Sequence, residues 1–272
     1  MKLKTLVCSM ASFSRSTICK RYFFSGAGNR FILSEACPDI TMIPNLCREH
    51  QVDGFLHVLP SSIADAKLII FNDDGSRPNM CGNGLRCVIA YLSSVLEKEE
   101  ISVETDSGVY SGKFYSWDRV VVDMTLPNWK YRSHQLTHTL SDLPKEVFSI
   151  DTGVPHVIVF VEDLSSVPVN LWGSFLRYHE DFAPQGTNVN FVQAQDFREI
   201  HMRTYERGLE RESLACGTGA TAAALVLAKR YGLSNTKIHI WTWNRILIKI
   251  SLDSDRVYLE GPVAQDILDE SF

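Results

Sequence analysis

The chain carries two copies of a Cys-Gly-x-Gly motif, each followed by a stretch with the residue pattern of a helix. Cys81-Gly-Asn-Gly is followed 135 positions later (216 − 81) by Cys216-Gly-Thr-Gly. A second pair recurs at nearly the same interval, because DRVVVDMTLP at 118–127 resembles DRVYLEGPV at 255–263, 137 positions on (255 − 118). Two independent segments repeating at one long interval predict two similar halves, not a short-period solenoid.

Local patterns predict that each half is mostly β-strand around one central helix. In the first half, residues 67–73 form a strand, and a hairpin turns at Ser107-Gly108. The helix after Cys81 has one apolar face, made of Leu85, Val88, Ile89, Leu92 and Val95. In the second half, residues 199–206 alternate as a strand does. The Ala-rich residues 218–231 form an enclosed helix that ends at Gly232.

Composition places the chain among globular proteins and argues against several partners. Its 272 residues carry a net charge of −5 and are 45% apolar and 22% charged, which suits one large or two medium domains. A negative protein repels nucleic-acid phosphates and anionic membrane surfaces. No apolar run approaches the roughly 20 residues of a membrane span. We therefore expect neither a nucleic-acid nor a membrane partner.

The cysteine pattern predicts a reducing compartment. The seven cysteines are Cys8, Cys19, Cys37, Cys47, Cys81, Cys87 and Cys216. Their number is odd, their spacing is irregular and no Cys-x-x-Cys pair occurs, which disfavours both a disulfide framework and a structural zinc site. We expect no bound metal, and we assign no role to the five cysteines outside the two motifs.

The first 25 residues are basic and contain several Ser but no acid. This composition admits an organelle transit peptide, such as a plastid one, and Met10 offers an alternative start. Whether residues 1–17 belong to the mature protein is therefore left open. The favoured location is the cytoplasm of a bacterium.

A cysteine immediately before a helix occupies an electrostatically special position. The first turn presents N–H groups without intrahelical partners and about half a positive charge. Such a position binds carboxylates or phosphates and lowers a thiol pKa from ~8.5 to roughly 3.5–7.5. Glycine lets a ligand approach the backbone closely. Cys-Gly-x-Gly therefore predicts a thiolate beside an anion-binding loop, although a single such cysteine is more often a small buried apolar residue.

Two such motifs on duplicated halves predict a specific chemistry. If a pseudo-twofold axis relates the halves, both helix starts can hold one carboxylate, with a thiol on each side of the adjacent carbon. One thiolate removes the α-proton and the other thiol protonates the opposite face, while helix N–H groups stabilise the developing charge. No Lys lies in a recognisable pyridoxal-phosphate setting. The motif pair therefore predicts stereoinversion of an amino acid without a cofactor.

Five segments together resemble the diaminopimelate epimerases: FNDDGSRPNMCGNGLRC, YERGLERESLACGTGATAAA, SGAGNRFIL, TGVPH and GTNVNF. The resemblance runs from about residue 20 to the end. It implies an α/β (α+β) fold of two pseudosymmetric halves, each a mostly antiparallel sheet or barrel wrapped around a central helix, with the active site between them. It also implies a cofactor-independent homodimer that interconverts LL- and meso-diaminopimelate for lysine and peptidoglycan synthesis.

We place the boundary between the halves where Pro127 interrupts the pattern. The first half then covers residues 1–126 and carries Cys81, and the second covers residues 127–261 and carries Cys216. A return of residues 262–272 to the first half is left open.

The resemblance also implies roles for individual residues. Cys81 would accept the proton of the LL substrate and Cys216 would donate one, with His156 and Glu206 tuning the thiols. The N–H groups that hold the reacting carboxylate would be those of Gly82, Asn83, Gly217 and Thr218. The other polar groups of the substrate would be held by Asn29, Asn72, Asn188 and Arg207. Taken alone, the asparagines beside Gly or Asp also fit turns, His156 fits a buried core histidine, and Glu206 and Arg207 fit a solvated pair.

Three features depart from the family pattern and leave the distal specificity open. Val154 stands where many members have Asn, Arg30 reverses the charge of the usual Asp, and the segment 206–216 is one residue longer, with Arg211 replacing Gly. A pocket that loses a polar contact discriminates less strongly. A broad-specificity or glutamate racemase therefore remains an alternative. A third hypothesis is a non-catalytic binding protein or a thiol switch.

Overall fold

The computed structural model describes residues 20–124 and 131–266, which form an α/β fold dominated by strands. The elements of the first half are β1 (Tyr22–Gly26), β2 (Asn29–Ser34), α1 (Ile43–His50), β3 (Gly54–Leu59), β4 (Ala66–Asn72), α2 (Gly82–Leu96), β5 (Glu100–Thr105), β6 (Gly108–Ser116) and β7 (Arg119–Asp123). Those that follow are β8 (Arg132–Gln135), β9 (Glu146–Asp151), β10 (Pro155–Phe160), α3 (Val169–Arg177), β11 (Asn188–Ala194), β12 (Glu199–Glu206), β13 (Arg211–Ser213), α4 (Gly217–Tyr231), β14 (Thr236–Thr242), β15 (Leu247–Asp253), β16 (Arg256–Gly261) and β17 (Val263–Asp266).

The two halves have the same strand order. In the first half the neighbours run β17, β1, β2, β3, β4, β5, β6 and β7, and in the second half they run β8, β9, β10, β11, β12, β14, β15 and β16. The β2–β3 and β4–β5 pairs are parallel, as are their counterparts β10–β11 and β12–β14. The other pairs in both series are antiparallel. The predicted pair of mostly antiparallel, pseudosymmetric halves is confirmed.

An antiparallel pairing of β7 with β16 joins the halves. Val122 lies opposite Leu259, and Asp123 lies opposite Tyr258. Val122 and Leu259 are 137 positions apart (259 − 122), the interval that separates the two DRV segments. A residue that faces its own counterpart marks a pseudo-twofold axis, so this axis passes between β7 and β16.

The helices α2 and α4 are enclosed by the strands around them. All residues from Gly82 to Leu92 in α2 are buried, and α4 buries residues on every side of its first two turns. Small residues allow this enclosure because the surrounding strands can approach α4 from all directions. The predicted apolar face of α2 is correct up to Leu92 but wrong for Val95, which is 54% exposed because the last turn emerges into solvent.

Two predicted turns are present. Thr105 pairs with Gly108 across the β5–β6 hairpin, and Gly108 has a φ of 130° that suits glycine. Gly232 ends α4 in the left-handed conformation with a φ of 65°.

The predicted boundary at residues 126 and 127 lies outside the described residues, as do residues 1–17. Residues 263–266 form β17, which pairs with β1 of the first half. In the described ranges, no helix has both the length and the apolar character needed to cross a membrane.

Candidate active site

Cys81 and Cys216 are the N-cap residues of α2 and α4. Both have an extended backbone, with φ and ψ of −141° and 109° at Cys81 and −129° and 107° at Cys216. Each Sγ accepts a hydrogen bond from a first-turn N–H, that of Gly84 at 3.5 Å and that of Gly219 at 3.3 Å. The repeated motif therefore folds into two matching thiol-capped helix starts.

The two helix starts meet at the pseudo-twofold axis, where a side chain larger than that of glycine would be tightly packed. A Cβ at Gly82 would lie 3.0 Å from Leu259 Cδ2 and 3.4 Å from Gly217 Cα. A Cβ at Gly217 would lie 3.1 Å from the same Leu259 methyl group. Leu259 lies beside the axis and therefore underlies both helices. The glycines allow one helix start to pack against the other, which brings both thiols to one cleft.

This cleft between the halves has a volume of about 340 Å³. Eleven of the twelve predicted site residues line it, namely Asn29, Asn72, Cys81, Gly82, Asn83, Asn188, Glu206, Arg207, Cys216, Gly217 and Thr218. The cleft thus combines residues of both halves, as expected for a site on the axis between them. The roles assigned to the individual residues stay predictions.

A buried amide pair connects the two walls of the cleft. Asn83 Nδ2 donates to Asn29 Oδ1 at 2.6 Å and to the carbonyl of Ala215 at 3.0 Å. Asn83 belongs to the first turn of α2, and Ala215 directly precedes Cys216. The contact therefore fixes one thiol-capped helix start relative to the other. It also gives Asn29 a structural partner within the cleft.

His156 is the predicted site residue that does not line the cleft. It is fully buried, and burial lowers its pKa to about 3, with Arg207 adding to the shift. Asn190 Nδ2 lies 3.1 Å from His156 Nδ1, while Asn190 Oδ1 accepts from Thr204. This amide orientation makes Nδ1 an acceptor and assigns the proton to Nε2. Nε2 has no hydrogen-bond partner among the described residues. His156 is therefore a neutral, buried donor behind the cleft wall.

Burial dominates the pKa of both thiols. Burial raises the pKa of Cys81 to about 11, with the Gly84 N–H opposing the shift and the charge of Glu206 adding to it. Burial and Glu206 also raise the pKa of Cys216. The expectation that the helix starts lower both pKa values is therefore wrong, because desolvation of the thiolate outweighs the N–H groups that face it.

Glu206, at the end of β12, is a second titratable group in the cleft. Burial raises the pKa of its carboxyl to about 7, with the nearby Ser213 hydroxyl opposing this shift and the charge of Asp53 adding to it. A carboxyl with a pKa near neutrality can exchange protons at physiological pH. Its charge acts on both Cys81 and Cys216.

Three predicted substrate-binding residues are held by loop contacts. Asn188 Oδ1 accepts the Arg207 backbone N–H at 2.9 Å, and Asn188 Nδ2 donates to the Pro155 carbonyl at 3.0 Å. Asn72 Nδ2 donates to Ser76 Oγ at 2.9 Å. The Arg207 guanidinium contacts the Gln185 carbonyl at 3.4 Å and forms no ion pair with the described acids. It therefore offers a positive charge to a carboxylate in the cleft.

The departures from the family pattern differ in their effect on the cleft. Val154 lines it. Arg30 does not, because its guanidinium lies 3.4 Å from the Gln51 carbonyl and 3.6 Å from Asp266. The reversed charge is therefore adjacent to Asn29 in sequence but is directed away from the cleft. The lengthened segment includes the turn between β12 and β13, and Arg211, the first residue of β13, lies 3.5 Å from Asp73 of the first half.

Several further residues line the cleft that the sequence patterns did not single out. Arg77 makes a two-point contact with Asp106 at 2.7 and 2.8 Å, and Arg177 lies 3.1 Å from Glu210. Arg77 belongs to the FNDDGSRPNM segment, so its closeness to Cys81 in sequence was a usable signal. Arg177 ends α3, and no local pattern connects that helix to either cysteine. Across residues 20–124 and 131–266, no group of three His, Cys, Asp or Glu is placed to hold a metal ion.

Comparison with protein families gives a match that covers most of the chain. The family model described as diaminopimelate epimerase matches residues 25–130 and 148–264. The diaminopimelate epimerase of Chlamydia trachomatis serovar L2 is 54% identical over 256 residues, covering 94% of this chain and 93% of the relative. That of Hydrogenobaculum is 42% identical and covers 89% of this chain and 94% of the relative.

Solved structures of lower identity share the fold. A PhzF-family phenazine biosynthesis protein from Bacillus anthracis matches with a TM-score of 0.68 and 13% identity, covering 92% of this chain and 99% of its own. A hydroxyproline epimerase from Agrobacterium vitis matches with a TM-score of 0.63 and 18% identity, covering 92% of both chains. At these identities the similarity concerns the fold alone.

Proposed function

The chain belongs to the diaminopimelate epimerase family, and from this premise we propose that it interconverts LL- and meso-diaminopimelate with Cys81 and Cys216 as the two proton-transfer groups. The observation that carries the proposal is the pair of thiol-capped helix starts that meet at the pseudo-twofold axis beside one cleft. The family match favours this substrate over the glutamate alternative. It also favours catalysis over a thiol switch.

Proton transfer at the α-carbon then needs no cofactor. The Cys81 thiolate takes the α-proton of the LL substrate and becomes a thiol, and the C–H electron pair moves towards the carboxylate. The Cys216 thiol donates its proton to the opposite face and becomes a thiolate. Atoms and charge balance, and the reverse reaction uses the same groups in exchanged roles.

The first turns of α2 and α4 stabilise the charge that develops on the carboxylate. The N–H groups of Gly82, Asn83, Gly217 and Thr218 have no acceptor within their helices. Together they can surround a carboxylate from two sides, and their dipoles are fixed before the reaction starts. Preorganised donors of this kind typically contribute about 10²–10³ in rate each.

Glu206 and His156 prepare the thiols in this proposal. The Cys81 thiol must lose its proton although its pKa lies near 11. Glu206, with a pKa of about 7, is a base in the same cleft that is ionised in a large fraction of molecules at neutral pH. Because His156 is neutral at this pH, it adds no positive charge beside the thiols in this proposal.

The same proposal covers the distal end of the substrate, the location of the enzyme and its oligomeric state. The distal amino-acid end of the substrate would meet Asn72, Asn188 and Arg207, and the Arg207 guanidinium would supply a positive charge there. Membership of the family supports a bacterial cytoplasmic enzyme of lysine and peptidoglycan precursor synthesis that works as a homodimer.

The test is the fate of the α-proton in D₂O. Reduced protein is incubated with LL-diaminopimelate and, separately, with L-glutamate, without any cofactor, and the α-proton signals are followed by NMR. We expect early meso product to carry deuterium at the inverted centre, since the donor thiol exchanges with solvent. Cys81→Ser and Cys216→Ser should each abolish formation of the meso product, and Cys37→Ser, at an exposed cysteine that does not line the cleft, is the matched control.

One outcome would broaden the proposed substrate range, and two would contradict the proposal. Exchange with both acids would show a permissive distal pocket. Exchange with neither would remove the epimerase assignment. Full turnover by the Cys81→Ser protein would show that the thiols do not carry the proton.

A further inference from the structure

Arg86 is a fully buried arginine with no carboxylate partner in the described ranges. Its side chain has 0% exposure, and its Nε has no hydrogen-bond partner among the described residues. Burial lowers its pKa to about 10, and the thiols of Cys87 and Cys81, when ionised, oppose this shift. A buried, unpaired cation is costly for a fold unless something else requires it.

The guanidinium of Arg86 lies where the two helix starts meet. Its side chain extends back along α2, as helical side chains do. Nη2 donates to Asn83 Oδ1 at 2.8 Å, and Nη1 is 3.5 Å from the Gly82 carbonyl. A Cβ on Gly217 of α4 would lie 3.4 Å from Nη1, and one on Gly261 would lie 3.2 Å from Cζ. The cation is therefore enclosed directly behind the cleft.

This position is electrostatically unfavourable without an anion. Helix N-termini carry partial positive charge and repel cations. Here two N-termini and one guanidinium converge, and no described acid forms an ion pair with the guanidinium. The reacting carboxylate is the anion that the cleft would receive, and its charge grows as the α-proton leaves. The unpaired Arg86 cation is therefore stabilised when the reacting carboxylate occupies the cleft, and not when the cleft is empty.

The second half shows that the fold itself does not need this charge. The position equivalent to Arg86 is Thr221, 135 residues later (221 − 86). Its hydroxyl donates to the Gly217 carbonyl at 3.0 Å, which repeats the contact of Arg86 with Gly82 without a charge. The positive charge is therefore present only on the Cys81 side of the pseudo-twofold axis.

We propose that Arg86 is a positioning residue for the epimerase reaction: it orients Asn83 in the carboxylate-binding loop and supplies a fixed positive charge that favours both the bound carboxylate and the Cys81 thiolate. This inference rests on the proposed function. The charge of Arg86 lowers the pKa of Cys81, against burial and the charge of Glu206, which raise it.

The test compares Arg86→Met, which removes the charge, with Arg86→Lys, which keeps it. The matched control is Thr221→Val, which removes the equivalent hydrogen bond in α4 but no charge. Two quantities are measured: kcat and KM for LL-diaminopimelate, and the rate of Cys81 alkylation by iodoacetamide against pH, located by peptide mass spectrometry. Thermal unfolding of each protein shows whether the fold persists.

We expect Arg86→Met to lower kcat by about 10- to 100-fold, raise KM and move the Cys81 alkylation curve to higher pH, with no fall in the unfolding temperature. Arg86→Lys should retain more activity and an alkylation curve near the wild-type one. Equal losses in the Met and Lys proteins, or an unchanged alkylation curve in Arg86→Met, would overturn the proposal. The alkylation readout needs no substrate, so it remains decisive even if diaminopimelate is not turned over.

Discussion

Replacement of Glu206 by Gln should stabilise the protein in a pH-dependent way. Burial raises the pKa of the Glu206 carboxyl from 4.5 to about 7. The folded protein therefore binds this proton more tightly than the unfolded chain does. The contribution of Glu206 to stability is fully present below pH 4.5 and is lost as the pH rises to 7, because the folded state must then hold a buried carboxylate.

The magnitude follows from the size of the shift. One pKa unit corresponds to about 1.36 kcal/mol, so this shift corresponds to about 3 kcal/mol. Because Glu206 lines the cleft and is partly reached by water, screening reduces this to roughly 2 kcal/mol. Gln cannot ionise, so the free energy of unfolding of Glu206→Gln minus that of wild type should rise by this amount between pH 4.5 and pH 8.

The assay is urea unfolding of both proteins across this pH range. The difference between the two proteins cancels the titration of groups that they share. Glu210→Gln is the matched control from the same turn, because the Gly208 N–H and Arg177 outweigh burial and lower the pKa of Glu210. Its difference from wild type should change in the opposite direction. A difference for Glu206→Gln that stays flat with pH would refute the burial argument.

Four further outcomes are expected. Gly82→Ala should lower turnover at least about tenfold, since its Cβ would press on Leu259, and adding Leu259→Ala should recover part of the loss; no effect in steady-state kinetics would contradict the tight fit. Arg30→Gln should leave kcat and KM within about twofold, because the guanidinium faces Gln51. Arg207→Met should raise KM for diaminopimelate about 10-fold or more at an unchanged unfolding midpoint. Wild-type Cys81 should be alkylated by iodoacetamide about tenfold faster per pH unit from pH 7 to 9.5, whereas a plateau below pH 8 would show a thiol that burial does not control.

Local sequence patterns correctly predicted the structural elements that position the site residues. The two cysteine motifs, the hairpin at Ser107-Gly108 and the end of α4 at Gly232 depend on residue chemistry within a few positions, which the sequence displays directly. The misassigned Val95 shows the limit of this approach. Periodicity identifies a helical face, but it does not say how far the covering strands extend along that face.

Electrostatics could not be predicted in the same way. A helix start lowers a thiol pKa when the thiol stays hydrated, and that rule alone gave the wrong direction for Cys81 and Cys216. Burial depends on how closely the second helix packs, and that distance is a tertiary property. The direction of the Arg30 side chain was unpredictable for a similar reason, since a side chain beside a motif can point to either face of its strand.

The sequence by itself determined that the chain has two related halves, each with a thiol at a helix start, because repeats and glycine-flanked cysteines are visible without coordinates. Only the tertiary structure decided that the two starts meet through Gly82 and Gly217 on a pseudo-twofold axis. It also decided that Arg86 lies unpaired behind them and that burial sets the thiol pKa values. Gly82 and Gly217 lie 135 positions apart in the chain (217 − 82), and desolvation depends on distances that no local pattern contains.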